Sequence, residues 1–347
     1  MVVIAWAGLT AALLGLAGAD DDGPRRFEFV ETHMGSEFKI ILYSPDAPTA
    51  RRASRAAFDR IAALDLVFSD YNPESELMRL CDRAGGAAVA VGDDLFDILK
   101  RSQAMSERSG GAFDVTVGPI VRLWRRARRD RKMPSDDNLR RARALVSGSL
   151  MTLDREHQTV RLARPGMKLD LGGIAKGYAA DEAVKVLRGL GVRRVLVAGA
   201  GDIVVGDPPP GRAGWMIAVA GLGGGQGEPE LSLELKNAAV STAGDAERFV
   251  EIDGKRYSHI VDPKTGLGVV DRCGVTVVAD DGATADALDT TAYILGPERG
   301  LALIEATPGA AALIVRSTSK GVQTFESSRI HLLRRATEPL DARANPR

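Results

Sequence analysis

Apolar and polar positions divide the chain into short strands and longer amphipathic runs, with no single repeating unit. From Glu28 to Tyr43, Phe29-Val30 and Phe38-Lys39-Ile40-Ile41-Leu42 flank Met34-Gly35-Ser36, the pattern of two strands around a turn. Ala47 to Phe68 carries Ala56, Phe58, Ile61, Leu64 and Val67 on one stripe, which predicts a helix. A second helix is expected from about Asp94 to Ser109, stopped by Gly110-Gly111. Lys176 to Leu190 reads as a helix ended by Gly191, and Leu288 to Ala306 as another, broken at Gly296-Pro297. Strands are expected at Ala198–Val205, preceded by Val195-Leu196-Val197, and at Trp215–Val219, Gly274–Ala279 and Ala311–Val315.

Strands and helices intermix without a steady alternation, which predicts an α+β fold with mixed or antiparallel sheets and packed helices. The 347 residues suffice for one large domain or two intimately packed subdomains. Gly221 to Glu230 is glycine-rich and reads as a surface hairpin or insertion, and the polar residues from Thr337 onward read as a frayed tail. The domain is expected over residues 27–333, with 334–347 as tail. Residues 2–19 are apolar and end in Ala17-Gly18-Ala19 before three aspartates, like a signal-peptide core and its cleavage site. No Lys or Arg precedes Arg25, so an uncleaved anchor or a mis-set start are the alternatives. Export is the expectation, to the periplasm or the outer face of the inner membrane, and a cytoplasmic place follows if residues 1–19 are no signal.

Charge narrows the partners. With 46 basic and 46 acidic residues, no global field draws the chain to nucleic acid. The run Arg122, Arg125, Arg126, Arg128, Arg129, Arg131 and Lys132 reads as a solvated helix face and following loop, with contact to phosphate or an anionic membrane as the alternative. Cys81 and Cys273 are too few for a metal cluster or disulfide scaffold and read as two buried thiols, with a single bridge in an oxidising compartment as the alternative.

Four segments carry chemistry. Leu169-Asp170-Leu171-Gly172-Gly173-Ile174-Ala175-Lys176-Gly177 runs from a strand end through two glycines into a helix start, where free N–H groups and Lys176 suit a phosphate; a plain strand-to-helix turn is the other reading. Val197-Ala198-Gly199-Ala200-Gly201-Asp202 offers close backbone approach and a carboxylate, or simply a tight connection. Ser241-Thr242-Ala243-Gly244-Asp245 precedes Tyr257-Ser258-His259, and His259, beside Asp262-Pro263-Lys264-Thr265-Gly266, is the best general-base candidate among four histidines. In Ala283-Thr284-Ala285-Asp286-Ala287-Leu288-Asp289-Thr290, Asp286 and Thr290 lie four apart on one helix face and can hold a hard cation; the alternative is that Thr284 or Asp286 caps the helix.

In this order, the four segments resemble the FAD:protein FMN transferases, the ApbE-type flavin transferases. The resemblance runs from about Phe29 to Val315 and includes Met34-Gly35-Ser36, Phe68-Ser69-Asp70-Tyr71-Asn72-Pro73-Glu74-Ser75-Glu76-Leu77 and Gly110-Gly111-Ala112-Phe113-Asp114-Val115-Thr116-Val117-Gly118-Pro119. It implies an ApbE-like fold and transfer of FMN from FAD to a Thr or Ser hydroxyl of an acceptor protein, with Mg2+ assisting and AMP released. Gly172, Gly173 and Lys176 would face the FAD pyrophosphate; Met34, Ser69, Tyr71, Asp181 and Thr242 would be further FAD contacts. Asp286 and Thr290 would hold the metal with backbone carbonyls at Ala175 and Asp289, and His259 would deprotonate the acceptor. The acceptor would be a flavoprotein, such as a subunit of a membrane redox complex, and the N-terminus could associate with the membrane.

Three departures stand out. Thr242-Ala243-Gly244-Asp245 replaces the usual Thr–Ser–Gly–Asp, Gly199-Ala200-Gly201-Asp202 replaces Gly–Gly–Asp, and Asp289 stands where Ala or Ser is usual before the metal-binding Thr. The Asp289 carboxylate either tightens the metal site or points to solvent. FAD hydrolysis to FMN and AMP is the alternative activity, and a non-catalytic FAD-binding protein the alternative class.

Overall fold

A computed structural model describes residues 2–3, 23–219, 231–244, 248–318 and 321–335. Most of the expected N-terminal signal, the Gly221–Glu230 segment, Asp245 and the tail beyond residue 335 lie outside the described residues. The fold is α+β, as the pattern predicts.

Its centre is an eight-stranded antiparallel sheet. The strands lie in the order Gly321–Glu326, Ala311–Thr318, Cys273–Ala279, Ala238–Gly244, Asp202–Val205, Val195–Gly199, Ser36–Ser44 and Arg25–His33. Side chains alternate between faces along each strand. Phe38, Ile40 and Leu42 therefore join the large core under the helices, with Val195, Val197, Val275 and Val277. Ile41, Leu196, Ile203, Val205, Val240 and Val278 face the opposite way, against Trp215, Ile217, Leu233 and Leu235 of a smaller sheet. With both faces covered, these strands read as continuous apolar runs and the alternation is lost in the sequence.

Three helices cover the first face in sequence: Ala47–Phe68 packs on Ala175–Gly189, which packs on Gly282–Leu295. The first starts at Asp46, whose carboxylate accepts from the Thr49 N–H at 2.6 Å, with a proline in its first turn. The helix expected from Leu288 to Ala306 begins at Gly282 and divides into Gly282–Leu295 and Pro297–Glu305, because Pro297 cannot continue the hydrogen-bond ladder. The expected Ala198–Val205 strand is instead a hairpin. Ala200 turns with φ +54° and Gly201 presses on the Thr242 carbonyl, where a Cβ would lie 2.9 Å from the oxygen. Arg334–Arg335, assigned to the tail, pairs with the Leu231–Leu235 strand.

A third, smaller core is less legible in the sequence. Ile120, Trp124 and Ala127 of the Gly118–Asp130 helix meet Ala142 of Asp136–Arg143 and Val250, Ile252 and Tyr257 of the Phe249–Ile252/Lys255–Ser258 hairpin. Both cysteines are buried and free.

Candidate active site

The glycine turn feeds a helix whose first residues have no side-chain cap of their own. The missing acceptor comes from the neighbouring helix: Asp286 Oδ2 accepts from the Gly177 N–H at 3.2 Å. Asp181 returns the arrangement, accepting from Gly282 N–H at 2.7 Å and Ala283 N–H at 3.0 Å. The two helices thus cap each other, with Asp281 adding a local cap on Thr284. The crossing requires glycines. A Cβ on Gly177 would sit 2.1 Å from the Gly282 carbonyl oxygen, and one on Gly282 2.5 Å from that of Gly177. At the turn, a Cβ on Gly173 would lie 3.1 Å from Thr290 Oγ1, which places the candidate cation ligand against the glycines.

Asp181 therefore has a structural task. Burial pushes its carboxyl up to about 7, and both oxygens serve the Gly282 helix start. It holds the helices that carry the site, a role the sequence did not show. Neither Thr284 nor Asp286 caps its own helix, since Asp281 does so.

Three carboxylates converge behind the turn. Asp202, Asp286 and Asp289 are 3%, 5% and 2% exposed, so none points to solvent. The Ser241 hydroxyl lies 2.5 Å from Asp202 Oδ1 and 2.6 Å from Asp289 Oδ2. It has one proton for two carboxylates. Asp289 Oδ1 is buried without a hydrogen bond of good geometry. Burial, then the Asp202 charge, pushes Asp286 up to about 8; burial with Asp286 and Asp202 holds Asp289 well above the usual carboxylate range. Burial would lower the Lys176 ammonium, but the facing Asp286, Asp202 and Asp289 leave it raised. Its Nζ is 3.4 Å from the Gly172 carbonyl.

These donors fit a hard cation. A carboxylate, a buried orphan oxygen and a hydroxyl at i, i+3 and i+4 of one helix are oxygen ligands facing one side. Among the described residues no three His, Cys, Asp or Glu side chains form a cage by themselves. A cation here would share its shell with Thr290, backbone carbonyls such as that of Ala175, and substrate oxygens, as Mg2+ does.

His259 follows the hairpin of the third core. Its backbone N–H donates to the Arg248 carbonyl at 3.0 Å, and Nδ1 lies 3.0 Å from the same oxygen. A carbonyl only accepts, so Nδ1 carries the proton and Nε2 keeps the lone pair. Partial burial of this partly exposed ring, together with the charges of Arg248, Arg128 and Lys176, lowers the imidazole to about 4, below the ordinary value near ~6.5. It is neutral at physiological pH and within electrostatic reach of Lys176.

The arginine run is not the plain solvated face that its charge suggests. Arg125 bridges Asp70 and Asp170, the latter at 2.9 Å, and its guanidinium lies 4.3 Å from the Tyr71 ring centroid. Asp170 in turn accepts from the Gly172 N–H at 2.9 Å. One residue earlier, Trp124 Nε1–H donates to the Gly266 carbonyl at 2.8 Å. The Gly118–Asp130 helix thus ties the glycine turn to the His259 loop. Tyr71, 76% exposed, remains available to a ligand.

The other candidates are more dispersed. Ser69 Oγ accepts from Asn72 N–H at 3.1 Å and shapes the Tyr71 turn. Thr242 neighbours Ser241 and pairs with Thr276 at 3.0 Å between hydroxyls. Met34 adopts φ +50° in its hairpin turn, and its N–H donates to Asp65 Oδ2 at 2.8 Å. Sequence reading singled out the Asp202 carboxylate without a partner for it, and missed Ser241 and Arg125 as site residues. Ser241 and Asp202 are register partners on adjacent strands, a relationship invisible along the chain.

The chain is similar to known proteins in sequence and in fold. A sequence model of the ApbE family matches residues 34–314. The FAD:protein FMN transferase of Treponema pallidum is 32% identical over 307 residues, 84% of this chain and 84% of that protein. That of Vibrio cholerae is 30% identical over 328 residues, 93% and 97% of the two chains. The apo crystal structure of Pseudomonas stutzeri flavinyl transferase ApbE superposes with a TM-score of 0.80 at 29% identity, covering 91% of this chain and 98% of that one.

Proposed function

The chain belongs to the ApbE family, and from that premise we propose the reaction its residues perform and the place of each in it. The protein is a transferase that moves FMN from FAD to an acceptor protein. The observation that carries the residue assignment is His259, whose Nδ1 is committed to the Arg248 carbonyl while Nε2 remains an acceptor.

The acceptor Thr or Ser oxygen attacks the FMN phosphorus of FAD. A new P–O bond forms to the protein, the pyrophosphate P–O bond breaks, and AMP leaves with the bonding electrons. The hydroxyl proton goes to His259 Nε2. A base of this kind contributes about 100- to 10,000-fold. Its low basicity in the ligand-free site keeps it unprotonated, and the diphosphate of bound FAD would offset the Lys176, Arg128 and Arg248 charges that depress it.

Phosphoryl transfer asks a protein mainly for position and charge. Gly172 and Gly173 leave room for the diphosphate against the helix start, and Lys176 supplies positive charge. Asp286, Thr290 and the carbonyls of Ala175 and Asp289 would hold Mg2+, which supplies charge neutralisation to phosphate oxygens when bound. Tyr71, Ser69, Met34 and Thr242 belong to the FAD-facing surface in this proposal. The Val2–Ala19 run supports export, with the acceptor on the outer side of the membrane; among the described residues no helix is long and apolar enough to cross a bilayer.

The test is incubation with FAD, Mg2+ and a candidate acceptor, followed by intact-protein mass spectrometry and AMP assay. Gain of one FMN with AMP release, both blocked by EDTA, supports the proposal. AMP release without modification of any acceptor points to the FAD pyrophosphatase reading.

A further inference from the structure

We propose that the Asp289 carboxylate is a second acidic ligand of the divalent cation assigned to Asp286 and Thr290, held in place by the Ser241–Asp202 pair. This inference rests on the cation reading above and assigns to this chain a carboxylate ligand from the Asp289 side chain, beyond its backbone carbonyl.

Asp289 Oδ1 is the buried side-chain oxygen left without a hydrogen bond of good geometry among the described residues, on a residue that is 2% exposed, although the adjoining Thr290 hydroxyl is close enough to lower its carboxyl. Buried polar atoms are almost always satisfied, and an orphaned carboxylate oxygen points to a missing donor or cation. Its other oxygen is fixed: Ser241 Oγ lies 2.6 Å from Oδ2 and 2.5 Å from Asp202 Oδ1. This hydroxyl brings one proton to two carboxylates, so the group is short of positive charge. Lys176 provides a single charge for Asp202, Asp286 and Asp289, and its ammonium is directed to the Gly172 carbonyl. Position completes the case. Asp289 lies three residues after Asp286 and directly before Thr290, so all three belong to one side of the Gly282–Leu295 helix. Two carboxylates and a hydroxyl are an ordinary partial shell for Mg2+ or Mn2+, the rest coming from carbonyls, waters and phosphate.

Two consequences follow. The cation should bind before FAD, because a second carboxylate raises affinity without help from phosphate. The metal-free protein should gain from replacing this carboxylate by an amide, since a buried acid without a compensating cation opposes folding.

The test uses Mn2+ as probe, titrated into FAD-free full-length protein and followed by EPR, with thermal melts in its presence and absence. Asp289→Asn keeps the volume and the Ser241 contact; Asp289→Ala removes both. Both variants should bind Mn2+ about 10- to 100-fold more weakly than the parent. The Asn variant should melt at or above the parent temperature without metal, and its Mn2+-induced rise should shrink. Parent-like Mn2+ affinity in Asp289→Asn overturns the proposal, as does affinity lost only together with the fold. Asp286→Ala distinguishes the two levels. If that variant alone loses Mn2+, the cation site stands and the Asp289 ligand falls. A parent protein that binds no Mn2+ and transfers FMN in EDTA removes the cation reading and this inference together.

Discussion

Gly177 and Gly282 touch backbone to backbone, so that a methyl group on the first would lie 2.1 Å from the carbonyl oxygen of the second. This contact brings the helix bearing Asp286 against the N-terminus of the helix bearing Lys176, and the Asp286–Gly177 and Asp181–Gly282 hydrogen bonds form across it. Separation of the two helices would therefore open the candidate cation site from behind.

Gly177→Ala should accordingly destabilise the protein by about 1–3 kcal/mol, the usual cost of overpacking, and weaken divalent-cation binding with it. Gly189 supplies the control. It ends the same helix with open space around it, so Gly189→Ala should be neutral or stabilising by up to about 1 kcal/mol. Chemical denaturation of both variants checks the pair; equal effects would refute the crossing as the cause.

His259→Ala should lose FMN transfer by about 100-fold or more while FAD is still bound, as a lost proton acceptor requires. Fluorescence titration of FAD beside a mass-spectrometric transfer assay separates the two. Loss of FAD binding in the variant would assign His259 to the binding surface instead.

The surroundings of His259 also set a pH dependence. Its folded value of about 4 lies below the ordinary one, so at pH 5 to 6 it is still unprotonated and able to accept. With saturating Mg2+ keeping Asp286 ionised, the acid limb of kcat/KM, which reports the free enzyme, should fall near pH 4 rather than near ~6.5. For stability the sign is the same: the unfolded chain takes up this proton first, so folding weakens as pH drops from about 6.5 towards 4. A limb near 6.5 that disappears in the His259 variant would show that the ring is far more solvated than its position implies.

Arg125→Ala leaves Asp70 and Asp170 facing each other without their shared cation. Breaking such a partly buried bridge should cost about 2–3 kcal/mol or more and loosen the Gly172 turn that Asp170 holds. Arg125→Lys should recover only part of this, because one ammonium cannot make the forked contacts or stack on Tyr71. Melting temperatures and the KM for FAD of both variants provide the check, with kcat expected to change less than KM.

Much of this protein was decided along the chain. The helix Ala47–Phe68 has the predicted bounds because its apolar stripe, its Asp46 cap and the proline of its first turn are all local. Gly110, Gly191 and Gly296 end or break elements where expected, each at positive φ, since that conformation is a property of the residue itself. The order of the glycine turn, His259 and Asp286 with Thr290 pointed to the family for the same reason: each motif is contiguous.

Tertiary structure decided the rest. Trp124 and Arg125 lie in a run whose charge resembles a solvated face, yet they bind Gly266 and Asp170 from distant segments. Ser241 meets Asp202 only through strand register, and Asp181 finds its partners 101 and 102 residues away. The acidity of His259 and Asp286 was likewise beyond reading, because it depends on burial and on charges gathered from several elements. Local sequence sets backbone preference and chemical type, whereas desolvation and long-range pairing exist only once the chain has folded.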